Sequence, residues 1–75
     1  MPRAPRVTGA ELVRALKRAG WTEHEQEGSH VQLKHPTRPG KVTVPVHAGR
    51  VILPKTLANV LRQAGLSADD LRALL

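Results

Sequence analysis

The sequence predicts a two-layer α+β domain in which helices cover one face of a small antiparallel sheet. Two stretches have a single apolar stripe at helical spacing, and two others alternate apolar and polar residues as strands do. Because each element has one apolar face, stacking helices on the sheet buries both faces together. We expect a single domain over residues 7–75, preceded by a flexible arm over residues 1–6.

The composition limits the kinds of partner that the domain can bind. Lys and Arg number 12 against 6 Asp and Glu, so the net charge is +6 and a nucleic acid, an anionic surface or an acidic protein is favoured. There is no cysteine for disulfides or thiolate metal sites. Trp21 is the single residue among Phe, Trp and Tyr, so a base-stacking platform is absent and any RNA would be bound mainly through phosphate and sugar. No apolar run approaches a membrane span, and a cytoplasmic protein is expected.

The first helix has clear boundaries in the sequence. Thr8 and Glu11 have the spacing of a capping box, and the helix should continue to about Ala19 before Gly20 ends it. Its buried stripe is expected to comprise Leu12, Val13, Leu16 and Ala19. Its outer face is basic and comprises Arg14, Lys17 and Arg18. Two interpretations of this face remain open: it is an ordinary solvated surface, or it contacts RNA or a partner protein.

Three strands follow. Residues 21–26 form a polar first strand whose alternation is ambiguous, because an inward Trp21 would also turn Glu23 and Glu25 inward. A bulge or an edge position would resolve this conflict. Residues 30–35 form the second strand. The third strand has Val42, Val44 and Val46 on one face, and Pro45 either ends it or places it at an edge.

The sequence pattern of the C-terminal third predicts two more helices. Pro54 fits a first helical turn, and Gly65 ends that helix. Its apolar stripe comprises Leu57, Val60, Leu61 and Ala64. Ser67 then caps a short helix with Asp69 and Asp70 in its first turn. Leu71, Leu74 and Leu75 are expected to close over the core.

His30 is the candidate for chemistry. Val31 and Leu33 point to the core, so the alternation puts His30, Gln32 and Lys34 on the open face, where packing does not require a histidine. His47 lies just beyond the third strand and is either a second acid or base or a turn cap. His24 and His35 are expected at the surface. A metal site made by those two across the hairpin is conceivable but lacks a compact ligand pair.

Several motifs occur together, and in this order and spacing they resemble the HicA family of mRNA-interferase toxins. The resemblance extends over about residues 7–70. Gly28-Ser29-His30 alone would be weak evidence, whereas its combination with the others is specific. The motifs are Thr8-Gly9-x-Glu11-Leu12, Gly20-Trp21, Gly28-Ser29-His30, Val44-Pro45-Val46-His47, Leu53-Pro54-x-Thr56-Leu57 and Gln63-Ala64-Gly65-Leu66-Ser67.

The resemblance implies a fold, an activity and a partner. The fold would be similar to a double-stranded-RNA-binding domain, α-β-β-β-α, here with a short C-terminal helix. The activity would be ribosome-independent cleavage of mRNA, with His30 at the position of the catalytic histidine, and the partner a HicB antitoxin. Val31 stands where many members have a second histidine, and Trp21 stands where members often have a different aromatic residue.

The chemistry suits RNA, which contains its own nucleophile in the 2′-hydroxyl. A histidine at position 30 can accept that proton or donate one to the leaving oxygen. Neither metal nor cofactor is expected. A non-catalytic RNA-binding module and a protein-interaction domain remain as alternatives. The residues expected to bind RNA are Ser29, Lys34, Lys41, His47, Arg14, Lys17 and Arg18.

Overall fold

The computed structural model describes residues 4–75 and has the predicted order of helices and strands. The two-layer α+β arrangement is compatible with the double-stranded-RNA-binding-domain-like fold. Residues 1–3 of the expected flexible arm lie outside the described residues, and that arm stays a prediction. The elements are α1 Gly9–Arg18, β1 Thr22–Glu27, β2 His30–Lys34, β3 Lys41–Pro45, α2 Pro54–Ala64 and α3 Ala68–Leu74.

The sheet is antiparallel, with β2 between β1 and β3. In the β2–β3 register Val31 pairs with Val44 and Leu33 with Val42. All four side chains are buried against the helices, so this face of the sheet forms one side of the hydrophobic core. The alternation predicted for β2 and β3 is confirmed, and β3 both lies at an edge and ends at Pro45, as expected for a residue without an amide proton.

A bulge in β1 resolves the ambiguous alternation of that strand. Glu23 pairs with Leu33, and after the register shift Glu25 pairs with Gln32. Glu23 therefore shares the helical side of the sheet, whereas Glu25 and Glu27 stand on the open face. A bulge inserts one residue and so re-aims every side chain beyond it. Without the bulge, Glu25 and Glu27 would lie on the helical side of the sheet, as Glu23 does.

The core joins the inner face of the sheet to all three helices. Leu12 and Leu16 of α1, Leu57 and Ala64 of α2, and Leu71 of α3 are almost fully buried. The prediction that Leu75 would close over the core is wrong, because that side chain is 49% exposed. It follows the last helical residue, where no further turn holds it against the core. Within the described part of the chain, no helix is long and apolar enough to cross a membrane.

The connection between β3 and α2 is anchored to the N-terminal segment, which the sequence did not indicate. The Ile52 amide donates to the Val7 carbonyl at 2.8 Å, and Thr8 forms an antiparallel bridge with Val51. These contacts place the start of α1 beside the end of β3. They also fix the course of the segment that follows His47.

The expectation that His35 is a plain surface residue is wrong. Its Nε2 donates to the Ala19 carbonyl at 3.2 Å, and its Nδ1 accepts from the Thr37 amide at 3.1 Å. The ring also meets Trp21 edge-on, with 5.2 Å between ring centroids. His35 thus fastens the end of α1 to the β2–β3 loop. Both ring nitrogens are used in this role, so the conceived metal pair with His24 would require breaking it.

The two capping boxes predict an acid dependence of stability. Hydrogen bonds from the backbone and side chain of Thr8 hold the pKa of Glu11 below its ordinary value of 4.5. The same two bonds from Ser67 hold the pKa of Asp70 below 3.8. A carboxyl group with a lowered folded-state pKa stabilises the protein above its unfolded-state pKa, and that contribution is lost as pH falls through the folded-state value.

We therefore expect the free energy of unfolding to fall as pH drops below about 4.5, the ordinary pKa of Glu11. Glu11→Gln should remove part of this dependence, because an amide keeps the capping geometry without titrating. Urea denaturation of both proteins from neutral pH downwards measures the difference. An unchanged pH slope in the variant would contradict the role given to Glu11.

Candidate active site

His30 is presented by the tight hairpin that joins β1 to β2. Gly28 has φ +60°, as the first central position of a type II′ hairpin turn requires. The Ser29 carbonyl accepts from the Val46 amide at 2.6 Å, so the turn is also tied to the end of β3. His30 is exposed, and among residues 4–75 no hydrogen bond engages its imidazole. The ring is held at its backbone and open to a ligand at both nitrogens.

The open face of the sheet places His30 in a row of three residues. Glu27 of β1 is its cross-strand partner on one side, and Pro45 of β3 is its partner on the other. Side chains directly opposite in antiparallel strands have Cβ atoms about 5 Å apart. His30 therefore has a carboxylate on the β1 side and an apolar ring without an amide proton on the β3 side.

Lys34 and Lys41 form a second feature of the open face. They are exposed and directly opposite each other in the β2–β3 register. Like charges in this position destabilise a sheet, and an anion between them would relieve the repulsion. Lys34 lies four residues beyond His30, about 13 Å along the strand. At this distance the lysine pair would bind a different phosphate from the one that lies at His30.

Gln32 lies between His30 and Lys34 on the same face, and the sequence analysis gave it no role. Its side-chain Oε1 is buried without a hydrogen-bond partner among the described residues. Its cross-strand neighbours are Glu25 and Thr43. In the middle of the open face, the Gln32 amide therefore lies between a carboxylate and a hydroxyl. The alternation of β2 in the sequence already indicated that Gln32 is on this face.

His47 stands with Arg50 at a groove beyond the end of β3. The groove has a volume of about 380 Å³, and Pro45, Thr56 and the apolar residues 51–53 complete its lining. Arg50 was missed in the sequence analysis, although its place three residues after His47, which ends the Val44-Pro45-Val46-His47 motif, was a signal. Leu53, which is 71% exposed, lines both this groove and a neighbouring, more apolar one that Pro5 also lines.

The basic residues of α1 are not brought to His30. Arg14, Lys17 and Arg18 are exposed on α1, in the helical layer, whereas His30 is on the opposite face of the sheet. Lys17 lies 3.6 Å from the Glu23 carboxylate, and Arg18 Nη1 donates to the Leu74 carbonyl at 2.6 Å. Two of the three cations thus have contacts within the chain that account for their positions.

Within residues 4–75, no three His, Cys, Asp or Glu side chains converge on a position that would hold a metal ion.

Fold and site together define a small basic α+β domain, compatible with the double-stranded-RNA-binding-domain-like fold, with an exposed histidine at the start of its central strand. The model of the family described as HicA toxin of bacterial toxin-antitoxin matches residues 9–66. The chain belongs to the HicA toxin family, as its motifs indicated. A comparison with curated proteins gives no significant match.

Proposed function

We propose that this toxin is an endoribonuclease that cleaves mRNA in the cytoplasm, with His30 as its acid or base. The observation that supports this most is the exposed imidazole at the hairpin, on the uncovered face of a basic domain of the HicA family. Histidine changes its protonation near neutral pH, so it suits proton transfer under cellular conditions.

The reaction requires little beyond proton transfer and positioning. The 2′-oxygen of the ribose attacks the adjacent phosphorus as its proton leaves, and the bond from phosphorus to the 5′-oxygen breaks. The leaving oxygen takes up a proton, so the products are a 2′,3′-cyclic phosphate and a 5′-hydroxyl. His30 accepts the first proton or donates the second. The cleavage uses no water in this step and no metal.

The RNA would lie across the open face of the sheet. Ser29 and His30 would adjoin the scissile phosphate, and Lys34 and Lys41 would hold a phosphate farther along the strand, as their mutual repulsion favours. The α1 cations Arg14, Lys17 and Arg18 are left out of this site, because they belong to the other layer.

A HicB-type antitoxin would hold the toxin inactive. Since His30 is exposed on a domain whose net charge is +6, an acidic partner is favoured, and one that covered the hairpin and the open face would block RNA. This places the partner on the same residues as the substrate and makes binding of the two mutually exclusive.

Incubation of purified protein with single-stranded RNA in EDTA tests the proposed function. We expect cleavage to persist in the chelator, to leave cyclic phosphate ends, and to stop when the cognate HicB-type antitoxin is added. The reason is that imidazole supplies the proton transfer without a metal. RNA binding without cleavage would instead select a non-catalytic RNA-binding module.

A further inference from the structure

The groove beyond β3 has a chemistry that the proposed cleavage site does not yet use. We propose that this groove, lined by Pro45, His47, Arg50 and Thr56, holds a backbone phosphate of the RNA beside the scissile one. Arg50 is then a substrate-binding residue that determines on which side of His30 the RNA passes. The proposal rests on the proposed function and assigns part of its substrate path.

The groove adjoins His30 through one shared neighbour, Pro45. Pro45 lines the groove and is also the cross-strand partner of His30. Neighbouring strands are about 4.8 Å apart, so an RNA strand whose scissile phosphate lies at His30 reaches the groove by crossing Pro45 alone. The half-buried Pro45 has no amide proton there. It therefore offers the RNA an apolar surface for a ribose, without a backbone hydrogen-bond donor that would compete for the phosphates.

The charges around His30 favour this side and disfavour the other. Glu25 and Glu27 stand on the open face along β1, and Glu27 is the direct neighbour of His30. Phosphates approaching from β1 would meet both carboxylates. On the β3 side the side chains are Lys41, His47 and Arg50. The β3 side of the imidazole is therefore more favourable to a polyanion than the β1 side.

The local backbone holds the two basic groups of the groove together. The Arg50 amide donates to the His47 carbonyl at 3.0 Å, which closes a short turn, and Gly49 within it has φ +73°. Arg50 is exposed at this turn. A guanidinium donates two parallel hydrogen bonds to a phosphate, and the Thr56 hydroxyl supplies a further donor. A phosphodiester is the anion that this set and the adjoining proline fit.

Binding of a fully 2′-O-methylated RNA oligonucleotide at several salt concentrations tests the groove without cleavage. We expect Arg50→Gln to weaken binding and to make the plot of log affinity against log salt less steep by about 0.7, the value of one lost phosphate contact on a single strand. Arg62→Gln is the matched control, because it removes the same charge at the far end of α2. Its salt slope should equal that of the wild type.

The outcomes separate the groove from the proposed function. If the wild type binds and cleaves RNA but Arg50→Gln keeps the wild-type slope, the groove assignment is overturned and the cleavage proposal stands. If the wild type binds no RNA, the groove assignment and the cleavage proposal are both overturned. If Arg50→Gln weakens binding of the antitoxin and leaves RNA affinity and slope unchanged, the groove is a protein contact and the proposal is likewise overturned.

Discussion

His30→Ala is expected to lower the rate of RNA cleavage by about 10² to 10⁴, the usual contribution of one positioned acid or base. Alanine neither accepts the 2′-proton nor donates to the 5′-oxygen. The neighbours in the register are Glu27 and Pro45. The proline has no titratable group, and the RNA is proposed to lie on the β3 side of His30, away from Glu27. Single-turnover cleavage of a labelled RNA measures the loss.

The same substitution should leave the fold intact. His30 is exposed and lies outside the core, so we expect its removal to change stability by no more than about 0.5 kcal/mol. His24→Ala, also exposed and at the β1 bulge, is the matched control and should retain full activity. His35→Ala is unsuitable as a control, because that ring bonds to Ala19 and Thr37.

Two results would contradict the assignment of His30. One is a His30→Ala protein that cleaves RNA at nearly the wild-type rate. The other is a variant whose circular dichroism shows an unfolded chain, since His30 would then be a structural residue of the hairpin.

Gly9→Ala is expected to destabilise the protein by about 1 to 3 kcal/mol, the usual cost of overpacking. A Cβ at this position would overlap the Pro45 carbonyl oxygen and lie 2.8 Å from the Val46 Cα. Both are backbone atoms, so relief requires α1 and β3 to move apart. Because Pro45 is the strand partner of His30, we expect RNA cleavage to fall as well.

The sign of this effect makes the test decisive. Helix propensity alone predicts that Gly→Ala inside a helix stabilises by about 0.5 to 1 kcal/mol. Ala10→Gly, at the exposed next position, should lose about that amount and shows that propensity operates in this turn. Urea denaturation compares the three proteins. A more stable Gly9→Ala protein would show that α1 does not approach β3 as closely as described.

Local sequence determined the elements and the face on which His30 lies. The capping box of Thr8 and Glu11 and the left-handed Gly65 mark helix ends through bonds and angles within a few residues. The alternation of Val31 and Leu33 puts His30 opposite the core through the period of a strand. These features depend on neighbours along the chain, and the chain order displays them directly.

The tertiary structure alone decided what surrounds that histidine. The bulge that turns Glu25 and Glu27 to the open face exists only relative to the partner strand β2. The close approach of Gly9 to Pro45 joins residues far apart in sequence, as do the hydrogen bonds of His35 with Ala19 and the groove that Arg50 shares with Thr56. The physical reason is that packing selects one register and one helix position among several that local preferences allow. The sequence therefore shows which side chain is available for chemistry, and the packing shows from which side a substrate reaches it.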